Sequence, residues 1–573
     1  MTRFPLQRRI LNWTSFRNRE DQLLLLLSIV IGVVVGLTVV AFILLTGRMA
    51  ARMYPSGSAP WRRVLVPTLG SLISGYLLFR YFPNARGSGI PQAKFALFIR
   101  DGYISLRTVF GKFLCCSISL ASGIALGREG PSVQIGAGIA SAIGRRFGLT
   151  TSGVKALAPV GCAAALATAF NTPIAAVLFS LEEILGNLHA TVIGSVVIGS
   201  ATAWMVLHLF LGDDPLFHAP AYKLVNPVEF GIYAILGVVG GLGSVCFVKL
   251  LLNLRIWFRK LPASTVWFQP AIGGLLVGLM ALIRPEVLGV GYDYVDRVLG
   301  GDFPVKVVVL LAVMKLVATP VCYSSGNAGG IFGPSLFIGA MIGGAVGSAA
   351  HTLFPGVTAS PGAYALVGMG TAFAGIVRTP LTSVIMIFEM TRDYSIIVPL
   401  MISNMISFFI SQRLQREPIY EALALQEGVY LPTGESREEL AGARVEEVMK
   451  TDGQPLPADM NITAVRLYLD QQKRNSWPVG ARSHLLGVIS SHQIESSNPE
   501  PGETAGDMVT REPKFPYVHR DHPLSFALEK MGSSGVDVIP VVSRADIHQM
   551  FGVVSLSDIL AAYGVKQDQT AKD

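Results

Sequence analysis

Two glutamates of this 573-residue chain could carry protons, because each lies in a largely apolar stretch. Glu129 is part of GREGP at 127–131, and Glu183 is the second acid of FSLEEI at 179–184. A carboxylate at the centre of a membrane helix costs about 2.5–3.5 kcal/mol, so such residues are candidates for ion or proton sites. We therefore expect both side chains to gain and lose protons.

Three glycine-rich clusters could bind an anion without a lysine or an arginine. They read GSGIP at 87–91, GREGP at 127–131 and GGIFGP at 329–334. A helix that begins at such a break presents unpaired backbone N–H groups and a partial positive charge. Ser88 adds a hydroxyl donor, and an ionised Glu129 would compete with the anion until it is protonated. Alternatively, the glycines only allow close helix packing, which explains scattered small residues better than clusters.

The composition predicts that a membrane surrounds the elements carrying these residues. Hydrophobic residues make up 51% of the chain and charged residues 15%, against about 25% charged in soluble proteins. Residues 22–47 and 156–181 contain no Asp, Glu, Lys or Arg, and each run can cross a bilayer. Charges return after residue 414. We expect an all-α polytopic membrane domain, multi-pass in the cell (inner or plasma) membrane, followed by a soluble C-terminal domain.

The membrane part is an internal duplication. The matching segments are GREGPSVQIGA at 127–137 with GIFGPSLFIGA at 330–340, and residues 159–183 with 366–390. We expect two halves, 22–212 and 228–413, that form an inverted repeat of broken helices with the transport site at their interface.

Differences between the halves point to function, whereas matched residues point to the shared fold. Glu182 aligns with Glu389, so we expect this pair to cap or orient helix ends. Glu129, Glu183 and Ser88 align with residues of other types. These three are therefore the better functional candidates.

The first 21 residues combine five arginines with apolar residues, which predicts an interfacial helix on the cytoplasmic side. A disordered basic tail is the alternative.

The net charge of +8 does not indicate a nucleic-acid partner, since no aromatic–basic module is visible. The five cysteines lie in apolar segments with no metal-ligand spacing, so we expect neither a disulfide framework nor a metal site.

The three glycine motifs, in this order and spacing, resemble those of the CLC chloride channel and exchanger family. The resemblance covers nearly the whole chain and implies a homodimer with one pore per subunit. It implies that Ser88 and Tyr420, the tyrosine of REPIY at 416–420, donate hydroxyls to a central anion. The backbone N–H groups of Ile331 and Phe332 would complete that site, and Gly130 would help form an outer one.

The same resemblance assigns Glu129 as the external gating glutamate and Glu183 as the internal proton glutamate of exchangers. Family channels typically have an apolar residue at the second position, so Glu183 favours Cl⁻/H⁺ antiport. Ser88 favours chloride over nitrate. A passive gated chloride channel remains the alternative. A cation carrier or a membrane enzyme is disfavoured, because the breaks present helix N-termini and no catalytic His or Cys arrangement accompanies them.

The C-terminal region resembles a pair of CBS (cystathionine-β-synthase) modules. We expect a linker at 414–440 and modules at 441–498 and 504–566, with both chain termini cytoplasmic. Such pairs often bind adenine nucleotides, and Ser555 and Asp558 match the motif that holds phosphate and ribose. The first module has Gln493 where the acid is expected. A purely structural pair is the alternative, and transport itself requires no cofactor.

Overall fold

The computed structural model describes residues 6–55, 57–186, 192–218, 225–428, 443–472, 474–497, 502–510 and 515–562. The chain divides into two compact units, Met1–Leu431 and Pro432–Asp573. We call the first the membrane unit and the second the tail unit.

The membrane unit is helical throughout its described residues. Seven of its helical segments are long and apolar enough to cross a membrane. The helices are α1 Leu6–Met53, α2 Arg62–Arg80, α3 Ile90–Phe98, α4 Leu106–Ala121, α5 Glu129–Arg146, α6 Thr151–Phe170, α7 Pro173–Phe179, α8 Ile193–Leu211, α9 Glu229–Arg259, α10 Gln269–Ile283, α11 Tyr292–Leu299, α12 Val305–Ser324, α13 Phe332–Leu353, α14 Pro361–Val377, α15 Pro380–Thr391, α16 Ile397–Leu414 and α17 Ile419–Gln426.

The duplication in the sequence is a duplication of structure. Among the described residues, α1 to α8 are followed by α9 to α16 in the same order, and the breaks before α3, α5 and α7 recur before α11, α13 and α15. At the centre, the equivalent residues Gly127 and Gly330 form an antiparallel bridge, each N–H donating to the other's carbonyl oxygen at 2.7 Å. Reciprocal pairing of equivalent residues is what a two-fold axis between the halves produces. The predicted inverted repeat is confirmed.

Some glycines do serve close helix packing, and they too are duplicated. A Cβ at Gly136 on α5 would lie 2.1 Å from the carbonyl oxygen of Gly161 on α6. A Cβ at Gly339 on α13 would lie 2.2 Å from the carbonyl oxygen of Gly368 on α14. Backbone therefore touches backbone at both crossings, which brings the helices that begin at the glycine breaks into fixed positions.

Two sequence-based boundaries need correction. Residues 6–21 are not a helix of their own: they contain no proline or glycine, and α1 continues through them from Leu6 to Met53. Residues 1–5 lie outside the described part of the chain. The predicted linker at 414–440 contains the helix α17, whose apolar residues Ile419 and Leu423 are buried. Residues 429–440 of that linker lie outside the described residues, as do residues 441 and 442 of the predicted first module.

The tail unit contains two similar arrangements of helix, two antiparallel strands and helix. Each first strand has a central proline, and each pair has a bulge near the end of that strand. The elements are α18 Val445–Val448, α19 Ile462–Gln472, β1 Ser476–Ala481, β2 His484–Ser490, α20 Ser491–Ser496, α21 Ala505–Thr510, α22 Leu524–Ser534, β3 Val538–Val542, β4 Met550–Ser555 and α23 Leu556–Ala562.

The two modules exchange their opening segments. After α18, the backbone N–H of Lys450 donates to the Val553 carbonyl oxygen on β4 at 2.8 Å, and Val553 returns a bond of 3.0 Å. The opening helix of the second module, α21, instead joins the apolar core around Ile489 of the first through Met508 and Val509. Each core is therefore completed by the other module.

Candidate functional site

Three helix N-termini meet where the halves of the membrane unit pair. The N-cap of α3, Gly89, has φ 109°, and a Cβ there would lie 2.1 Å from the carbonyl oxygen of Gly130. A Cβ on Gly130 would in turn lie 2.5 Å from the Ser88 carbonyl oxygen and 3.4 Å from Cα of Gly330. The beginnings of α3, α5 and α13 are thus in contact, and only glycine permits this approach.

The site offers hydrogen-bond donors for an anion. The N-caps of α5 and α13, Arg128 and Ile331, provide no side-chain cap, so backbone N–H groups at these ends remain available. The hydroxyls of Ser88 and Tyr420 are buried and have no hydrogen-bond partner among the described residues. A buried hydroxyl left unpaired costs about 1–3 kcal/mol, which an anion accepting both hydroxyls would offset.

Helix α17 brings Tyr420 to this site from far along the chain. The tyrosine is the second residue of that helix and is fully buried. It lies within electrostatic range of both Glu129 and Glu183, so the predicted hydroxyl and the two predicted acids belong to one region.

Phe332, the first residue of α13, forms an aromatic wall beside the site. Its ring centroid lies 4.3 Å from that of Phe373, 4.7 Å from Phe170 and 5.6 Å from Phe179. The rings come from both halves of the repeat, so they form an apolar contact between the halves beside the N-terminus of α13.

The side chain of Glu129 lies at the N-terminus of α13. This side chain is fully buried. Oε2 accepts a hydrogen bond of 3.3 Å from the backbone N–H of Gly333, and Oε1 accepts a short one from the hydroxyl of Tyr292. Arg128 Nε lies 4.0 Å from Oε1. Tyr292, which sequence reasoning missed, and the N-terminus of α13 therefore hold the carboxylate in this position.

Glu183 lies in a second polar cluster. It belongs to a π-helical segment, Ser180–Leu185, that continues α7. Lys94 Nζ on α3 donates to Glu183 Oε1 at 2.8 Å and to Glu421 Oε1 on α17 at 2.5 Å. Sequence reasoning missed Lys94 and Glu421, although a lysine in an apolar helix and an acid directly after Tyr420 were visible signals.

The matched glutamates cap helices across the two-fold axis, as predicted. Glu182 accepts from the backbone N–H groups of Leu381 and Thr382 at the start of α15, at 3.4 and 2.9 Å. Glu389 accepts from Ile174 and Ala175 at the start of α7, at 3.0 and 2.7 Å. Each half thus stabilises the helix N-terminus of the other, a favourable position for a carboxylate.

Two buried lysines hold the glycine breaks, and they were also missed. Lys112 Nζ donates to the carbonyl oxygens of Ala85 and Gly87, at 3.1 and 2.6 Å. Lys315 Nζ donates to those of Val287 and Gly289, at 3.0 and 2.5 Å. The two lysines are separated by the same number of residues as Gly127 and Gly330, which was the signal that could have identified them.

A cavity of about 540 Å³ lies against Gly87, next to Ser88. Arg86, Arg255 and Arg259 line it together with Tyr323. Glu427 also lines the cavity and pairs with Arg255, so the lining carries an excess of positive charge, which favours anions near Ser88.

In the tail unit, Ser555 and Asp558 contact each other. Ser555 Oγ donates to Asp558 Oδ2 at 2.5 Å, and Lys450 Nζ lies 2.7 Å from Asp558 Oδ1. Burial raises the pKa of Asp558, but the hydrogen bonds from Lys450 and Ser555 outweigh it and leave the pKa below its usual value. A separate cavity of about 740 Å³ adjoins Ser490 and Lys530.

Comparison with known proteins places this geometry in a family. The family described as voltage gated chloride channel matches residues 70–412, and the CBS domain matches residues 505–564. The H(+)/Cl(-) exchange transporter ClcA of Salmonella paratyphi B is 32% identical over 422 residues, which span 71% of this chain and 89% of that protein. A putative chloride channel protein of Ralstonia nicotianae, ClcB-like, is 34% identical over 352 residues, 60% of this chain and 81% of the relative.

Solved structures agree with the fold. A slow cyanobacterial Cl⁻/H⁺ antiporter, 27% identical, superposes with a TM-score of 0.66 over 70% of this chain and 97% of its own. A eukaryotic CLC transporter, 20% identical, has a TM-score of 0.65 and covers 93% of this chain and 97% of its own. At 20% identity, the similarity to the eukaryotic transporter shows only that the fold is shared.

Proposed function

The chain is a member of the voltage gated chloride channel family, and on that premise we propose that it exchanges chloride for protons across a membrane. Chloride binds between Ser88, Tyr420 and the backbone N–H groups of Ile331 and Phe332. The outer position, near Gly130, alternates between chloride and the side chain of Glu129. The protein acts as a transporter and catalyses no covalent step.

The position of the Glu129 carboxylate supports this proposal most strongly. An ionised carboxylate accepts hydrogen bonds at the N-terminus of α13, where chloride would otherwise bind. Protonation removes its charge and its preference for that position, so proton uptake and chloride binding exclude one another at the same atoms. This exclusion is the physical basis of exchange in opposite directions.

Glu183 favours exchange over passive conduction. It is buried and paired with Lys94, so its carboxylate is kept apart from bulk water. A pore that conducts only chloride has no use for a second proton-accepting group at this depth, where charged groups are costly.

Reconstituted proteoliposomes test the proposal. With an outward chloride gradient imposed, we expect chloride efflux to drive proton uptake, followed as a rise in external pH. Glu129→Ala should abolish proton movement and leave chloride flux, and Glu183→Gln should abolish coupling. Chloride flux of the unmodified protein without proton movement would instead identify a passive channel, and coupled transport by Glu183→Gln would remove Glu183 from the pathway.

We also infer that two copies assemble with one pore each and that both termini are cytoplasmic.

We infer further that the tail unit binds an adenine nucleotide. Ser555 and Asp558 match the residues expected to hold the phosphate and ribose of the nucleotide, and the cavity beside Ser490 has the size of a ligand pocket. Isothermal titration of ATP onto the full chain tests the nucleotide. Loss of binding in Asp558→Ala supports the second-module site, loss in Lys530→Met supports the cavity, and no binding to the unmodified protein refutes the inference.

A further inference from the structure

Lys94, Glu183 and Glu421 form a buried charged cluster with an excess of acid. The side chains are 5%, 6% and 9% exposed, and the single ammonium lies 2.8 Å from Glu183 and 2.5 Å from Glu421. The second carboxylate oxygen of Glu421, Oε2, is buried without a hydrogen-bond partner among the described residues. If Glu421 is ionised, this buried oxygen carries charge with no hydrogen bond to stabilise it. Protonation of the oxygen removes that charge.

The net charge of the cluster predicts that one of its two carboxylates binds a proton. With both carboxylates ionised the cluster carries one net negative charge, and with one proton bound it is neutral. A buried site disfavours net charge, and two carboxylates that share one site titrate as a unit. The unpaired oxygen of Glu421 is the place where that proton can reside while Lys94 stays bound to Glu183.

The elements that carry the cluster connect it to the anion site. Lys94 lies one turn along α3 from the break at Ser88, and Glu421 directly follows Tyr420 on α17. The other ionisable groups that face the cluster are Glu182, whose carboxylate caps α15, and the phenols of Tyr420 and Tyr323.

From α9, Arg255 contacts α17 through the Leu423 carbonyl oxygen and the side chains of Gln426 and Glu427. Its guanidinium is therefore bound to partners other than the cluster.

We propose that Glu421 is a second proton-carrying residue, which shares the transported proton with Glu183, and that Lys94 positions the pair. This inference rests on the proposed exchange of chloride for protons. The proton binds Oε2 of Glu421, the O–H bond there breaks as a new one forms on Glu183, and Lys94 moves its stronger contact to the carboxylate left ionised. Lys94 remains an ammonium throughout, so one proton enters and one proton passes on.

The test measures coupled transport in proteoliposomes against the pH on the side proposed to be cytoplasmic. Glu421→Gln leaves Lys94 and Glu183 as a neutral pair, which accepts a proton less readily. We expect the pH of half-maximal transport to fall by about one pH unit, and the rate to recover at acidic pH. Lys94→Met leaves two carboxylates without a cation, so its midpoint should move in the opposite direction.

Glu417→Gln is the matched control, since Glu417 lies one turn earlier and is more exposed. It should behave as the unmodified protein does. An unchanged midpoint in Glu421→Gln overturns the inference while coupled transport by the unmodified protein still upholds exchange. If Glu421→Gln is inactive at every pH, Glu421→Asp decides: a normal midpoint supports a proton-carrying carboxylate, and an inactive or shifted protein refutes it. Absence of proton movement in the unmodified protein refutes the exchange itself.

Discussion

Glu129 is held by groups that come from the other half of the repeat. Tyr292 begins α11 and Gly333 lies in the first turn of α13, so both donors belong to the second half while the glutamate begins α5 of the first. The observed position of Glu129 therefore depends on two hydrogen bonds formed across the two-fold axis. Moving the side chain away breaks those bonds and its pairing with Arg128.

Tyr292→Phe should make the protein open more readily. A hydrogen bond to a charged group contributes about 1.5–3 kcal/mol, so losing the phenol should raise chloride efflux at neutral pH about tenfold or more. Efflux from proteoliposomes, measured with a chloride electrode, checks this. In a Glu129→Ala background the same substitution should have no effect. Equal efflux from Tyr292→Phe and the unmodified protein would mean that the tyrosine does not hold the gate.

At the level of residues, the sequence pointed to candidate groups that break the internal symmetry. Glu129, Glu183 and Ser88 were identified because their repeat equivalents have other side chains. Tyr292 and Glu421 were not identified, since each contacts a partner more than 160 residues away, Glu129 and Lys94 respectively. No local pattern encodes a contact at such separation.

At the scale of elements, the helix crossings at paired glycines position the whole site. α5 and α13 supply the N-termini, and each is fixed against its following helix where backbone meets backbone. Any side chain at these contacts must push the helices apart and move the N–H groups at the start of α5 and α13, to which the proposal assigns anion binding.

Gly161→Ala and Gly368→Ala should therefore destabilise the protein and weaken chloride binding together. The added Cβ would lie 2.2 and 2.3 Å from the facing carbonyl oxygens, and overpacking of this kind costs about 1–3 kcal/mol or more. Gly47→Ala is the control, because nothing lies within 4 Å of its Cβ position on α1. Thermal unfolding in detergent, with and without chloride, measures both effects. A tolerated Gly161→Ala would mean that the crossing can relax.

Helix starts were predictable from the sequence, whereas irregular elements were not. The glycine and proline breaks predicted where α5 and α13 begin. The matched pair Glu182 and Glu389 predicted the carboxylates that cap α15 and α7. The π-helical turn that directs Glu183 toward Lys94 has no signal in composition or spacing. Helix α17 lies within the predicted linker; its eight residues are too few for a membrane span and include a glutamate, so composition alone does not mark it as part of the membrane unit.

At the scale of the whole molecule, both units are internal duplications whose copies complete one another. In the membrane unit the copies exchange helix caps, and in the tail unit they exchange opening segments. Sequence comparison revealed both duplications. The exchange itself was not predictable, because the same sequence pattern is compatible with two modules that each fold on their own opening segment.

The ion pair of Lys450 with Asp558 joins an exchanged opening segment of the tail unit to its host module, and its contribution should depend on pH. The pKa of Asp558 is lower in the folded state than its unfolded value of about 4. The stability that the carboxylate contributes is therefore complete above that value and is lost as the pH falls through the folded one.

A double-mutant cycle with Asp558→Asn and Lys450→Met in residues 432–573 isolates the pair. Lys450 is largely exposed, so we expect a coupling of about 0.2–1 kcal/mol at pH 7 that disappears near pH 2. Thermal unfolding at the two pH values measures it. Coupling that persists in acid would mean that the pair interacts without the charge of Asp558. No coupling at pH 7 would mean that Asp558 stabilises the tail through Ser555 and the start of α23, independently of the exchanged segment.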